Sequence, residues 1–235
     1  MLLLERRTGQ LASRDGRRIP AGFVRLTGVL DPQLSRWLWL VKMFLAIPHF
    51  VILAVLGVPF VLTTIFAAFA IFFTGRYPRK LFDFNVGVLR WNWRVGFYVY
   101  AALGTDRYPP FSLAEQADYP AHFDVDYDEH PSRDLVPLRW FMAIPHLVIV
   151  ALIMGGGLSL GHSTGAPAGA FSVLNVLVVI AGFFLLVTSR YPRPLFELLL
   201  GINRWVYRVA AYVAFMRDEY PPFRLDTGTS DVRQR

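Results

Sequence analysis

One long apolar stretch limits this chain's fold more than any other feature. Between Trp37 and Phe73 the only ionisable side chains are Lys42 and His49. A helix needs roughly 20 apolar residues to cross a bilayer, so the stretch is long enough for two crossings. Gly57 and Pro59 favour a turn between them, because glycine is flexible and proline lacks a backbone donor. We therefore expect a transmembrane hairpin with spans at 37–56 and 58–73.

A second apolar region predicts a second hairpin, with spans at 135–154 and 171–188 and a Gly-rich connection without formal charge. The chain is 54% hydrophobic, 15% aromatic and 17% charged, whereas soluble domains average about 25% charged residues and disordered chains contain few aromatics. The absence of cysteine excludes disulfides and thiolate metal sites. The expected class is a mainly helical integral membrane protein.

The distribution of positive charge predicts the orientation. Arginine and lysine lie before and after the expected hairpins, and neither hairpin tip carries one. Short positive loops stay in the cytoplasm, so we expect a multi-pass protein of the bacterial inner (plasma) membrane with both termini and the central linker inside. The N-terminal apolar residues are too few, and are placed wrongly, for a secretory signal.

The chain also contains an internal duplication, which is best sought early because it determines the architecture. Four motifs occur twice in the same order, and 12 of 23 positions are identical between 76–98 and 190–212. The paired motifs are Lys42–His49 with Arg139–His146, Arg76–Arg79 with Arg190–Arg193, Arg90–Val95 with Arg204–Val209, and Tyr108–Phe111 with Tyr220–Phe223. With two spans in each copy, both repeats have the same orientation, and a pseudo-two-fold axis along the membrane normal is expected.

These motifs resemble the domain of unknown function 4389 family of uncharacterised bacterial membrane proteins. The resemblance covers about residues 20–225 and rests on the Ala-Ile-Pro-His, Arg-Tyr-Pro-Arg, Arg-Trp and Tyr-Pro-Pro-Phe elements. It implies a membrane protein without an assigned activity, so it supplies no catalytic residues.

Each repeat continues into a helical segment, 81–103 or 195–216, that carries arginines and tryptophan on one face. At about 100° per residue these side chains form a stripe, as expected for an interfacial helix whose guanidinium groups meet lipid phosphates. A segment that spans the membrane is the alternative. The candidate residues for binding lipid or another anion are Arg76, Arg79, Arg90, Trp91, Arg94, Arg190, Arg193, Arg204, Trp205 and Arg208.

A structural explanation of the same arginines stays open. Arg79 and Arg193 stand four residues before Asp83 and Glu197, a spacing that allows ion pairs on a helix. The other arginines can cap backbone carbonyls. Four guanidinium groups converging near the pseudo-axis would instead require a bound phosphate or carboxylate.

His49 and His146 each follow a proline within an apolar helix. Ionisable groups in a span suggest function, so the pair could line a proton pathway in a small-solute or proton-coupled transporter. The alternative is that each ring bonds a carbonyl or a side chain nearby. Two histidines without further ligands do not predict a metal site.

No catalytic motif is present, and no cofactor or nucleic-acid partner is expected. The interpretation is a non-catalytic accessory or scaffolding protein that binds anionic lipid headgroups or a membrane-protein partner. Its repeats cover 20–113 and 114–225, between a flexible basic N-terminus at 1–19 and a tail at 226–235. Short strands are expected at Phe23–Leu30, His122–Tyr127, Phe111–Leu113 and Phe223–Leu225, forming a small cytoplasmic sheet.

Overall fold

The computed structural model describes residues 24–155 and 172–225, and these are mainly helical with one small sheet. The predictions for 1–19, for most of the connection after Met154 and for the tail at 226–235 lie outside the described residues. In chain order the elements are β1 (Val24–Gly28), α1 (Leu38–Leu45), α2 (Ile47–Thr74), α3 (Arg79–Tyr98), β2 (Ala121–Val125), α4 (Val136–Met154), α5 (Val173–Thr188) and α6 (Arg193–Val213).

The expected first hairpin is wrong, because α2 continues through Gly57 and Pro59 as a single helix. The helix is interrupted instead at Ala46, between α1 and α2. Proline is tolerated inside apolar helices, so Pro59 does not end α2. Of the two hairpins in the predicted four-span arrangement, the first is therefore not formed.

The second apolar region forms two helices, as expected. Helices α4 and α5 match the predicted segments 135–154 and 171–188 to within two residues at each end. Ser172 caps α5, since its side chain accepts a hydrogen bond from the backbone nitrogen of Asn175 at 2.9 Å. Of the described helices, α2 and α4 are long and apolar enough to cross a membrane, whereas α5 has 16 residues.

The sheet pairs one strand from each half of the chain. β1 and β2 are antiparallel, and their central pair is Leu26 with Phe123. This confirms strands close to the two predicted positions before the apolar regions. The expected strands at Phe111–Leu113 and Phe223–Leu225 do not form, because those segments are held as loops against the central helices.

Helices α3 and α6 form the middle layer of the molecule. The face of α3 toward the sheet carries Phe82, Val86, Arg90, Trp93 and Phe97. The opposite face carries Asn85, Trp91, Val95 and Tyr98, which pack toward α1 and α2. Helix α6 is placed in the same way between the sheet and the helices α4 and α5. The order of layers is therefore sheet, central helices and apolar helices.

The outer layer, here called the apolar layer, consists of α1, α2, α4 and α5. Only 11% and 17% of the residues in the most apolar parts of α2 and α4 are buried. Phe44, Phe73 and Phe141 are each at least 70% exposed. In a water-soluble fold such helices would be mostly buried, so the layer presents a broad apolar surface.

Candidate functional site

The arginine stripe of the central helices points into the protein, so the expected contact with lipid headgroups is wrong for this face. Trp91, Arg94, Trp205 and Arg208 are all buried. Arg90 is nearly enclosed, with 14% of its side chain exposed. The periodicity alone is consistent with an interfacial helix, but the sheet and the loops cover this face instead.

Arg90 and Arg204 bond the outer edges of the two strands. The Nε of Arg90 donates to the carbonyl oxygen of Phe123 at 2.8 Å, and the Nε of Arg204 donates to that of Leu26 at 3.2 Å. Arg90 also pairs with Glu115 and Asp124 at 2.7 and 2.9 Å. A strand edge leaves backbone groups unpaired. In this two-stranded sheet both strands are edges, and each arginine satisfies one of the edge carbonyl oxygens.

Arg94 and Arg208 hold the two Tyr-Pro-Pro-Phe loops. Arg94 donates to the carbonyl oxygen of Ser112, and Arg208 donates to that of Arg224 at 2.9 Å. Burial and the neighbouring charge of Arg90 lower the pKa of Arg94. The predicted convergence of four guanidinium groups on one anion is therefore not formed, since each group bonds a backbone carbonyl.

His49 occupies an aromatic enclosure between α2 and the first Tyr-Pro-Pro-Phe loop. Its ring stacks on Phe111 with centroids 4.0 Å apart, and Tyr108 lies at 4.9 Å. The indole Nε1 of Trp91 donates to His49 Nδ1 at 3.2 Å. The His49 ring is fully buried and accepts the hydrogen bond of the Trp91 indole.

His146 has the matching enclosure in the second half. Its ring stacks on Phe223 at 4.4 Å, with Tyr220 at 4.5 Å and Trp205 at 5.7 Å. Its Nε2 lies 2.9 Å from the carbonyl oxygen of Pro221. The two histidines occupy equivalent aromatic enclosures, but their rings bond differently: His49 Nδ1 accepts from Trp91, whereas His146 Nε2 donates to the carbonyl oxygen of Pro221.

Two ion pairs, each with a buried cation and a partly exposed acid, fix the start of the apolar regions. Sequence reasoning missed the acidic partners. The Nζ of Lys42 lies 2.8 Å from Asp106 and 2.6 Å from the carbonyl oxygen of Thr105. Arg139 pairs with Asp218 in the same way. Each acid stands two residues before its Tyr-Pro-Pro-Phe motif, and this repeated position was the available signal.

The remaining candidate cations are exposed and lie where the apolar helices end. Arg76 and Arg79 follow α2, and Arg190 and Arg193 follow α5. Arg79 pairs with Asp83 at 3.1 Å as expected. Within residues 24–155 and 172–225 the expected pair of Arg193 with Glu197 is not formed, and the Arg190 side chain makes no ion pair either.

One cleft lies between α6 and β1, and a matching cleft lies between α3 and β2. The α6 cleft has a volume of 690 Å³ and contains three arginines and two acids, namely Arg190, Arg193, Arg204, Asp31 and Glu197. The α3 cleft has a volume of 520 Å³ and contains Arg79, Arg90, Asp83, Asp124 and Asp126. The formal charge of their ionisable linings is therefore positive in the α6 cleft and negative in the α3 cleft.

Comparison with family models matches residues 36–112 and 168–224 to a domain of unknown function, DUF4389. The matched segments contain both central helices and both Tyr-Pro-Pro-Phe loops. Comparisons with curated proteins and with solved structures give no match. The match covers more than half of the chain and confirms the resemblance seen in its repeated motifs: the chain belongs to the DUF4389 family.

Proposed function

We propose that this protein is a non-catalytic membrane component that binds anionic lipid headgroups and serves as an accessory or scaffolding protein. One observation carries the proposal: a broad exposed apolar layer ends in exposed arginines. The same apolar surface is also large enough to bind a membrane-protein partner. The location proposed is the bacterial inner membrane, with both termini on the cytoplasmic side.

The apolar layer supports membrane association because of its extent. Along α2 the exposed side chains include Val51, Val58, Phe66 and Phe69, and α5 continues the surface with Phe183. Moving one such side chain from water into an apolar environment is favourable by about 1.5–3 kcal/mol. Lipid is the solvent that satisfies a surface of this composition.

The exposed arginines support a preference for anionic lipid. Arg76 and Arg190 follow α2 and α5 directly, and Arg79 and Arg193 begin the central helices. Each basic residue near an anionic leaflet contributes about 1 kcal/mol. An arginine also forms paired hydrogen bonds with a phosphate, which a lysine cannot match.

The α6 cleft is the part of this surface best suited to a single headgroup. Arg190 and Arg193 line it, and Leu185 of α5 is also part of its lining, so the cleft adjoins the apolar layer. In the α3 cleft, Arg79 and Arg90 are already paired with carboxylates. The repeats therefore share a shape and differ in charge, which favours one anion site in the second repeat.

We also propose that the two repeats are related by a pseudo-two-fold axis. The contacts of Arg90, Arg94 and His49 recur for Arg204, Arg208 and His146. Reciprocal bonds join the halves: Tyr77 donates to the carbonyl oxygen of Ala214, and Tyr191 to that of Ala102, at 3.3 and 2.6 Å. The transporter alternative gains no support, since both histidine rings are buried and stacked on aromatic rings.

Lipid retention tests the proposed function. The full chain, purified in mild detergent, is offered equal amounts of phosphatidylglycerol and phosphatidylcholine, and bound lipid is counted by native mass spectrometry. We expect phosphatidylglycerol to be retained preferentially, and Arg190→Gln with Arg193→Gln to weaken its binding about thirtyfold, from about 1 kcal/mol for each charge.

The matched control is Arg25→Gln with Arg107→Gln, which removes the same charge from exposed positions outside the α6 cleft. This variant should keep the preference for phosphatidylglycerol. Equal retention of both lipids by the unmodified chain would contradict the proposal, and so would equal losses in the two variants.

A further inference from the structure

We propose that the apolar layer lies parallel to the membrane plane within the cytoplasmic leaflet, so that α2 and α4 do not cross the bilayer. This inference rests on the proposed membrane association and specifies its geometry. The partner is one lipid leaflet, and the remainder of the protein stands in water above it.

The first step concerns the contact between α2 and the protein body. The buried side chains of α2 include His49 near its start and Thr64, Ala67 and Ile71 toward its end. These positions are up to 22 residues apart, which corresponds to roughly 33 Å of helix. Helix α2 therefore lies against the protein body along most of its length and exposes one continuous apolar face.

The second step concerns what lies beyond α3. The sheet covers the side of α3 opposite α2: Arg90 bonds the Phe123 carbonyl, and the indole of Trp93 donates to the carbonyl oxygen of Thr27 at 3.0 Å. The outer face of the sheet exposes polar side chains, including Arg25 and Asp124. Helix α3 therefore lies between the sheet on one side and α2 on the other.

This stacking decides between two orientations. If α2 stood upright in the bilayer, the sheet would lie at hydrocarbon depth with Arg25 and Asp124 exposed to lipid. Charged side chains near the bilayer centre are unfavourable by about 2.5–3.5 kcal/mol each on the insertion scale. If α2 lies flat, the sheet faces water and the apolar layer faces lipid, so both surfaces are satisfied.

The helix ends are consistent with the in-plane orientation. Arg133, just before α4, donates to the carbonyl oxygen of Thr74 at the end of α2. The repeat equivalent of Arg133 is Arg36, just before α1. With the sheet facing water, the proposed pseudo-two-fold axis follows the membrane normal and holds Arg36 and Arg133 at one depth. The start of α1 and the end of α2 therefore lie at equal depth.

The dimensions and the edge residues fit a single leaflet. A helix is about 10 Å across, and half of the hydrocarbon core is about 15 Å thick, so one layer of helices fits within it. Trp37, Tyr108 and Trp140 are exposed near the borders of the layer. Tryptophan and tyrosine favour the headgroup level.

Single-cysteine labelling tests the orientation, because the chain has no cysteine. Ser35→Cys, Lys80→Cys and Thr27→Cys place thiols before α1, after α2 and on the sheet, all at exposed positions. In intact cells an impermeant maleimide should label none of the three, and in inverted vesicles it should label all three. Labelling of Ser35→Cys and Lys80→Cys from opposite sides would overturn the in-plane orientation.

Depth measurement provides an independent readout on the same surface. Spin labels at Val51→Cys, Val58→Cys and Phe69→Cys occupy the exposed face of α2. An in-plane helix predicts one common depth, whereas a crossing helix places Val58 deepest. Recovery of the unmodified chain from the soluble fraction would overturn the proposed function together with this inference. Membrane retention with unequal depths would overturn the in-plane orientation alone.

Discussion

Leu26 and Phe123 pair directly across the two-stranded sheet, and they are equivalent positions of the duplicated sequence. They stand 97 residues apart, as do the histidines His49 and His146. The local two-fold axis of an antiparallel pair passes between its central residues and is perpendicular to the sheet. One pairing of backbones therefore locates the axis about which we propose the two repeats are arranged.

Loss of the Asp106 carboxylate should destabilise the fold. Lys42 is 1% exposed and depends on Asp106 at 2.8 Å for charge compensation. Removing the acid leaves the buried Lys42 charge with only the Thr105 carbonyl, and breaking a fully buried pair costs about 3–5 kcal/mol, which is the upper limit here because Asp106 is partly exposed. Asp106→Asn should therefore markedly lower the thermal unfolding midpoint in detergent, whereas Asp118→Asn, at an exposed position, should leave it nearly unchanged. Equal midpoints for the two variants would show that the ion pair is dispensable.

Glycine at position 87 should be required for the approach of the first Tyr-Pro-Pro-Phe loop. A Cβ at Gly87 would lie 2.9 Å from the Cβ of Leu113 and 3.1 Å from its carbonyl oxygen. Overpacking of this kind costs about 1–3 kcal/mol, so Gly87→Ala should lower the unfolding midpoint. Gly57→Ala is the matched control, because nothing lies within 4 Å of that position and alanine favours a helix interior. A stabilised Gly87→Ala variant would contradict the observed packing.

The helices and the shared arginine face were predictable because both follow from local periodicity and apolar length. The direction of that face was not, since Arg90 bonds Phe123, 33 residues away, and Arg204 bonds Leu26, 178 residues away. The predicted turn at Gly57 is wrong for a related reason. The packing of α2 along α3 outweighs the preference of glycine and proline for a turn. Contacts between distant segments therefore decided what periodicity left open.

Alkaline pH should weaken the contact that Tyr77 makes between the two halves. Burial raises the pKa of Tyr77 to about 12, whereas the pKa of a tyrosine in an unfolded chain is about 10. Its contribution to stability is complete below about pH 10 and is lost as the pH rises toward about 12, with a slope of up to about 1.4 kcal/mol per pH unit. Tyr77→Phe should give a shallower decline in unfolding free energy over this interval. An unchanged slope would indicate that other buried tyrosines carry the whole pH dependence.

Replacing the two equivalent tryptophans should have unequal effects, although the substitutions are chemically identical. The Nε1 of Trp91 donates to His49 at 3.2 Å, whereas that of Trp205 finds no acceptor among the described residues. Trp91→Phe leaves the buried His49 Nδ1 without its donor, and an unsatisfied buried acceptor costs about 1–3 kcal/mol. Trp205→Phe removes a donor that was already unpaired, so only the change in volume remains. The unfolding midpoint should therefore fall further for Trp91→Phe. The reverse order would mean that His146, not His49, depends on its tryptophan.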